Sequence, residues 1–151
     1  MTDAEQFLQK LSLFEKCAPE DIQRLAMNLR WHSYKKGDTI LFQGMISHQM
    51  FFIVSGRAAV FTRKDRETRR VAGLEGGDYF GEISLLTNKA ATATIKADED
   101  ETQVYILERD AMIETLSRNA GAMADVTLKV QERNQNRLDV FREEAPAAAP
   151  V

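Results

Sequence analysis

With a single cysteine, Cys17, the chain can close no internal disulfide, so its fold must rest on burial of apolar side chains. Cys17 itself reads as a small, buried apolar residue in a reducing compartment. The only histidines, His32 and His48, lack an HxxxH spacing and a second thiol to join them, which leaves no metal-ligand set of the usual kind. No apolar run approaches the roughly 18 residues that a membrane span requires. The opening segment, MTDAEQFLQK, is acidic and polar, unlike a secretory leader. An excess of one charge is missing too: 20 Lys and Arg against 23 Asp and Glu leave a net charge of −3, not the basic balance of a nucleic-acid binder. There is no nucleophile–base pair, no metal constellation and no P-loop of the form GxxxxGK(S/T), so enzymatic chemistry is not expected. These absences predict a soluble cytoplasmic protein with no cofactor, no metal and no membrane or nucleic-acid partner.

What is present suits one domain. The 151 residues are 44% hydrophobic and 28% charged, enough for a single core. Residues 3–28 read as helical: Phe7, Leu8, Leu11 and Phe14 recur on one face. Pro19 with Glu20 and Asp21 opens a second helix carrying Ile22, Leu25 and Met27. From Arg30 to Leu107 the pattern changes to short strands: RWHSY, DTILFQ, MFFIVS, RAAVFTR, RRVAGL, TATIKA and TQVYIL. Ser55-Gly56 predicts a tight hairpin, and the acidic run 98–101 reads as an exposed turn, not a metal site. Helix returns in ERDAMIETLSRN, with Met112, Ile113 and Leu116 inward, and again over about 122–143 with Met123, Val126, Val130, Val140 and Phe141. The pattern predicts an α+β fold, an antiparallel β-barrel or jelly roll between helices. Residues 1–143 would form the domain and 144–151 an Ala/Pro-rich tail or linker. So short a remainder has no room for a helix-turn-helix.

The informative stretch is GDYFGEISLLTNKAATATIKA, Gly77 to Ala97. Glycine at Gly81 would let backbone approach a ligand, and GEISLL can open a short helix whose N-terminal N–H groups offer an anion seat. Glu82 suits that first turn and, pointing inward, would accept hydrogen bonds from a sugar hydroxyl. The small residues Ala90, Ala91 and Ala93 leave room beside the chain. A strand, a glycine and a helix with an acidic first turn also occur in many folds that bind nothing.

Four motifs in order carry a resemblance: LSLF, YKKGDTILFQG, MFFIVSGRAAV and GGDYFGEISLLTNKAATATIKA. Over about 130 residues the chain resembles the cyclic nucleotide-binding domain of protein kinase A regulatory subunits, nucleotide-gated channels and catabolite-activator-type regulators. The resemblance implies a jelly roll with a short phosphate-binding-cassette helix and two C-terminal helices. By it, Phe80, Gly81, Glu82, Ile83, Ser84, Ala91, Thr92 and Ala93 would line the ligand. Backbone N–H groups near Ile83 and Ser84 would face a cyclic phosphate, Glu82 would hold the ribose, and Thr92 would help hold phosphate or base. The family usually carries an arginine where this chain has Ala91. Lys89 or Arg133 could supply a substitute cation, Arg133 from a final helix that the family uses as a lid. The plainer alternatives are a solvated loop lysine and an ion pair of Arg133 with Glu132 or Asp139. Two functions follow: a sensor whose ligand, cAMP or cGMP, moves the C-terminal helix, or a degenerate domain that binds little or nothing and acts in interaction. In the second, homodimerisation would run through the C-terminal helix.

Overall fold

The computed structural model describes residues 2–81, 89–128 and 131–132. Helix α1 (Asp3–Lys10) starts at a capping box in which Thr2 Oγ1 accepts from the Glu5 N–H while the Glu5 carboxylate accepts from the Thr2 N–H. A 3₁₀ turn (Ser12–Phe14) leads to α2 (Pro19–Asn28), where proline stands in the first turn with Glu20 and Asp21. Leu8, Leu11, Leu13, Phe14, Ile22 and Leu25 are buried. Met27 departs from the expected face and is 87% exposed, because five residues beyond Ile22 is some 140° around the helix.

Eight strands follow: β1 (Arg30–Tyr34), β2 (Thr39–Leu41), β3 (Gln49–Ser55), β4 (Arg57–Lys64), β5 (Glu67–Glu75), β6 (Tyr79–Phe80), β7 (Thr94–Ala97) and β8 (Thr102–Glu108). They form two antiparallel four-stranded sheets, in the orders β1-β8-β3-β6 and β2-β7-β4-β5. Helix α3 (Arg109–Ser117) and a helix over residues 120–128 close the described chain. The fold is thus α+β, helices before and after an antiparallel β-sandwich. Among the described residues no helix is long and apolar enough to cross a membrane.

Two apolar clusters explain why β3 lacks the usual in–out alternation. Phe52 and Met50 face the helices, joining Leu8, Phe14, Leu25, Leu107, Met112 and Val126. Phe51 and Ile53 face the other sheet, meeting Ala58, Val60, Ile95, Val104 and Ile106. A strand covered on both faces is selected for apolar residues throughout. Burying each large side chain stabilises the fold by about 1.5–3 kcal/mol.

Three boundaries differ from the sequence expectation. The pair Tyr79–Phe80 is a strand in its own right, held against Phe52 and Phe51. β5 begins at Glu67, because the turn reverses at Asp65 with a φ of 59° and the polar ETRR stretch pairs with β4. β7 begins at Thr94, not Thr92. The acidic run is an exposed turn, as expected. Asp98 pairs with Arg70 and Glu99 with Arg57, while Asp100 accepts from the Lys36 N–H.

Candidate functional site

The site predicted from sequence begins where β6 ends. Phe80 is 2% exposed, its ring stacked on Phe51 at 4.9 Å between centroids, so its side chain lies in the core between the sheets. Gly81 has a φ of +92°, and a Cβ there would stand 2.7 Å from the Gln49 carbonyl oxygen and 3.2 Å from Phe51 Cδ2. The close approach that demands glycine is therefore the neighbouring strand β3. Glu82, Ile83 and Ser84, with the expected cassette helix, lie outside the described residues. So does Arg133.

The chain is described again at Lys89, whose side chain is exposed. Ala91 is 7% exposed and belongs to the cluster between the sheets, as does Ala93 at 2%. Rather than leaving room, these methyl groups are packed. Both backbone polar groups of Ala91 are used: its N–H donates to the Met45 carbonyl at 2.7 Å, and its carbonyl accepts from the Gly44 N–H at 2.9 Å. Position 91 is thus clamped to the loop after β2. That loop exposes Phe42, Met45 and Ile46, while Gln43 folds back to bond the Arg63 backbone in both directions. Thr94 Oγ1 accepts from the Gln43 N–H.

Thr92 differs from its neighbours. Its hydroxyl oxygen is buried and has no hydrogen-bond partner among the described residues. A buried hydroxyl without a partner costs about 1–3 kcal/mol, so such an atom marks a place where something polar is missing. Thr62, on β4, carries a second such hydroxyl, and it is only 8% exposed. Nothing in the sequence singled out Thr62; its threonine is ordinary for a strand, and only packing reveals it.

Three arginines of β4 and β5 make ion pairs. Arg57 pairs with Glu99 at 3.6 Å, Arg70 with Asp98 at 3.4 Å, and Arg69 with Glu67. A cavity of about 290 Å³ opens among Arg57, Arg70, Leu74, Glu75 and Asp78, with arginines and carboxylates mixed along its wall. Titration is perturbed elsewhere in the molecule. Burial and then the Asp21 carboxylate push the Cys17 thiol up. Burial raises the Tyr34 phenol, Asp38 adding to it and Arg30 opposing; burial and Asp3 raise Tyr105. No cluster of three His, Cys, Asp or Glu able to hold a metal occurs among the described residues.

At the C-terminal end, Val126 is fully buried and Met123 half-buried against the chain's own helical cluster. The described part of the expected dimer stripe is therefore used internally, and its continuation at Val130, Val140 and Phe141 lies outside the described residues.

This arrangement has relatives. The chain is 31% identical over 123 residues to a cAMP-dependent protein kinase regulatory subunit of Mycosarcoma maydis, covering 79% of this chain and 23% of that one. It is 32% identical over 114 residues to the human potassium/sodium hyperpolarization-activated cyclic nucleotide-gated channel 4, covering 76% of this chain and 9% of the channel. It spans less than a quarter of either relative. Its fold matches that of the regulatory subunit of a cAMP-independent protein kinase A from Trypanosoma brucei, with a TM-score of 0.80 and 23% identity over 90% of this chain and 50% of that one. The family model described as the cyclic nucleotide-binding domain matches residues 31–119, a single unit of a binding, non-catalytic kind. On the sheet order, the flanking helices and this match, the chain belongs to the cyclic nucleotide-binding domain family.

Proposed function

We propose that the chain is a regulatory sensor module whose ligand, a cyclic nucleotide or a close chemical relative, docks between β6 and β7 and moves the C-terminal helix. The observation that carries this reading is the buried, unpartnered Thr92 hydroxyl beside the family's ligand position. By the resemblance, the segment from Gly81 to Ser84 would supply the backbone N–H groups and Glu82 the ribose contact, and Arg133 would reach in from the lid. On the same reading Ala91 stands where an arginine would meet the cyclic phosphate. A charge-assisted hydrogen bond is worth roughly 1.5–3 kcal/mol, and an anion left poorly compensated costs more. The loss in affinity for cAMP or cGMP is then about 10- to 1,000-fold.

A calorimetric titration with cAMP and cGMP of the native chain and of Ala91→Arg tests this. Binding by either form supports a pocket of this family's kind. Silence from both refutes it.

The alternative, an interaction module, draws on the exposed Phe42, Met45 and Ile46 of the β2–β3 loop. Sedimentation velocity separates the two: a concentration-dependent dimer that Met45→Ser and Ile46→Ser abolish would favour interaction over sensing.

A further inference from the structure

Resting on that sensor reading, we propose that Arg69 of β5 supplies the positive charge that Ala91 withholds from the ligand's phosphate, and that the Thr62 hydroxyl bonds a phosphate oxygen beside it. Lys89 and Arg133, the substitutes expected from sequence, are respectively exposed and outside the described residues.

The register of the sheet puts Arg69 and Thr62 on its inner face. Alternation along β4 sets Thr62 with Ala58 and Val60, both in the cluster between the sheets. Thr62 pairs directly with Arg69, and residues opposite one another on neighbouring strands share a face. The step from Val60–Ala72 to Phe61–Arg70 leaves Val71 as an extra residue in β5, a bulge whose side chain packs against the same cluster. Arg57, Arg63 and Arg70 fall on the alternate positions and are exposed. On the other flank of β4, Val60 pairs with Ile95 and Phe61 with Thr94, so Ala93 comes alongside Thr62, and Ala91 follows two residues beyond in the same cluster. Arg69 thus lies two strands from Ala93, about 9–10 Å at the backbone, at the end of the inner face where Ala91 stands.

The chemistry at this end asks for an anion. The Arg69 side chain is only 24% exposed and its Nε is buried, so the charge is held largely out of water, where it is costly unless it meets an opposite charge. Glu67 meets it through Nη2, from the start of β5 where the carboxylate is half in water. A guanidinium carries five N–H donors in a planar fork and can keep Glu67 on one nitrogen while giving others to phosphate oxygens. Beside it the Thr62 hydroxyl, 8% exposed, has no hydrogen-bond partner among the described residues. It cannot accept and donate to a group that only donates, but a phosphate oxygen, which only accepts, suits the hydroxyl and the guanidinium together. Across β4 the inner face offers the methyl groups of Ala91 and Ala93, so no charge on that flank competes with Arg69 for the phosphate.

Calorimetric titrations of cAMP and cGMP into the native chain, Arg69→Gln, Arg69→Lys, Thr62→Val and Ala91→Arg test the idea. The native chain should bind one of the two, and Arg69→Gln should weaken it about 10- to 100-fold, the loss of a charge-assisted contact. Arg69→Lys, which keeps the charge without the fork, should fall between them. Thr62→Val should weaken binding about three- to tenfold, one hydrogen bond. A proton–nitrogen correlation spectrum reads the contact in the native chain itself, without a variant that could unfold. The Arg69 Nε–H signal, assigned by its absence from Arg69→Lys, should move as the cyclic nucleotide is added and stay in place with adenosine or guanosine, which lack the phosphate. Native-strength binding by Arg69→Gln overturns the inference and leaves the sensor reading intact. So does an Nε–H signal that stays in place at saturating cyclic nucleotide. Undiminished binding by Thr62→Val overturns the part given to that hydroxyl. Silence of the native chain with binding by Ala91→Arg also overturns the inference alone, because Arg69 then supplies no usable charge. Silence of every form with both ligands overturns the inference and the sensor reading together.

Discussion

Replacing Gly81 by alanine separates two reasons for a glycine at the head of the cassette. Its φ of +92° would cost an alanine about 1–2 kcal/mol on its own. The added methyl would also stand 2.7 Å from the Gln49 carbonyl oxygen and 3.2 Å from Phe51 Cδ2. Phe80 is hydrogen-bonded in register with Phe51 and stacked upon it, so β6 cannot recede without breaking that pairing. Overpacking of this kind adds about 1–3 kcal/mol, for a total near 2–5 kcal/mol. Gly77 supplies the control: its φ is +96°, and a Cβ there meets nothing within 4 Å. Gly77→Ala should cost only the backbone part, about 1–2 kcal/mol. Urea unfolding of the two variants beside the native chain gives the difference. With a slope of about 1–3 kcal/mol/M, Gly81→Ala should lower the midpoint by on the order of 1–2 M and clearly more than Gly77→Ala. Equal shifts for the two would refute the steric argument. Gly81→Ala with native stability but weakened ligand binding would return the glycine to the role read from sequence, that of letting a ligand close.

Phe52→Ala, which empties a fully buried site between Phe14 and Tyr79, should lower unfolding free energy by about 3–5 kcal/mol in the same assay. Glu114→Gln breaks ion pairs to Arg24 and Arg118 that are half in water, so the midpoint should move by no more than about 0.5 kcal/mol equivalent. Thr2→Ala removes the capping box of α1 and should cost about 0.5–2 kcal/mol, seen as a lower melting temperature by far-ultraviolet circular dichroism. The Cys17, Tyr34 and Tyr105 acids are all raised, so the folded chain holds their protons more tightly than the unfolded one. Stability should be indifferent to these groups below the ordinary thiol range. It should fall as pH rises through that range and on through the phenol range; a flat alkaline profile would contradict the shifts.

The motifs that carry spacing are legible in the sequence. LSLF and MFFIV are governed by local periodicity, and the buried runs they imply are those observed, whereas the Ser55-Gly56 hairpin expected from turn chemistry is not formed: the turn there carries the chain from one sheet to the other, and β3 and β4 do not pair. Met27 is apolar yet exposed, because its angle around the helix, not its character, decides which way it points. β6 leaves no sequence signal, because a two-residue strand has no period and exists only through β3. The site was harder. Gly81 carries its signal in composition, but whether the glycine admits a ligand or a strand depends on what lies 2.7 Å away. Thr62 carries no signal at all, since an unpaired hydroxyl is a property of the assembled interior, not of any window of sequence.

The strand order bears on how such a chain can be made. β7 lies between β2 and β4, and β8 between β1 and β3, so the last two strands synthesised are interior members of both sheets. Until they emerge, β1 has no partner in its sheet and β2 none in its own, and β3 and β4 each keep an open edge. Neither half of the sequence can therefore complete a sheet alone. During translation the apolar β3 must wait, bordered only by the short β6, for a segment that arrives some fifty residues later, and its unpaired edge is the place where a passing chain could add a strand.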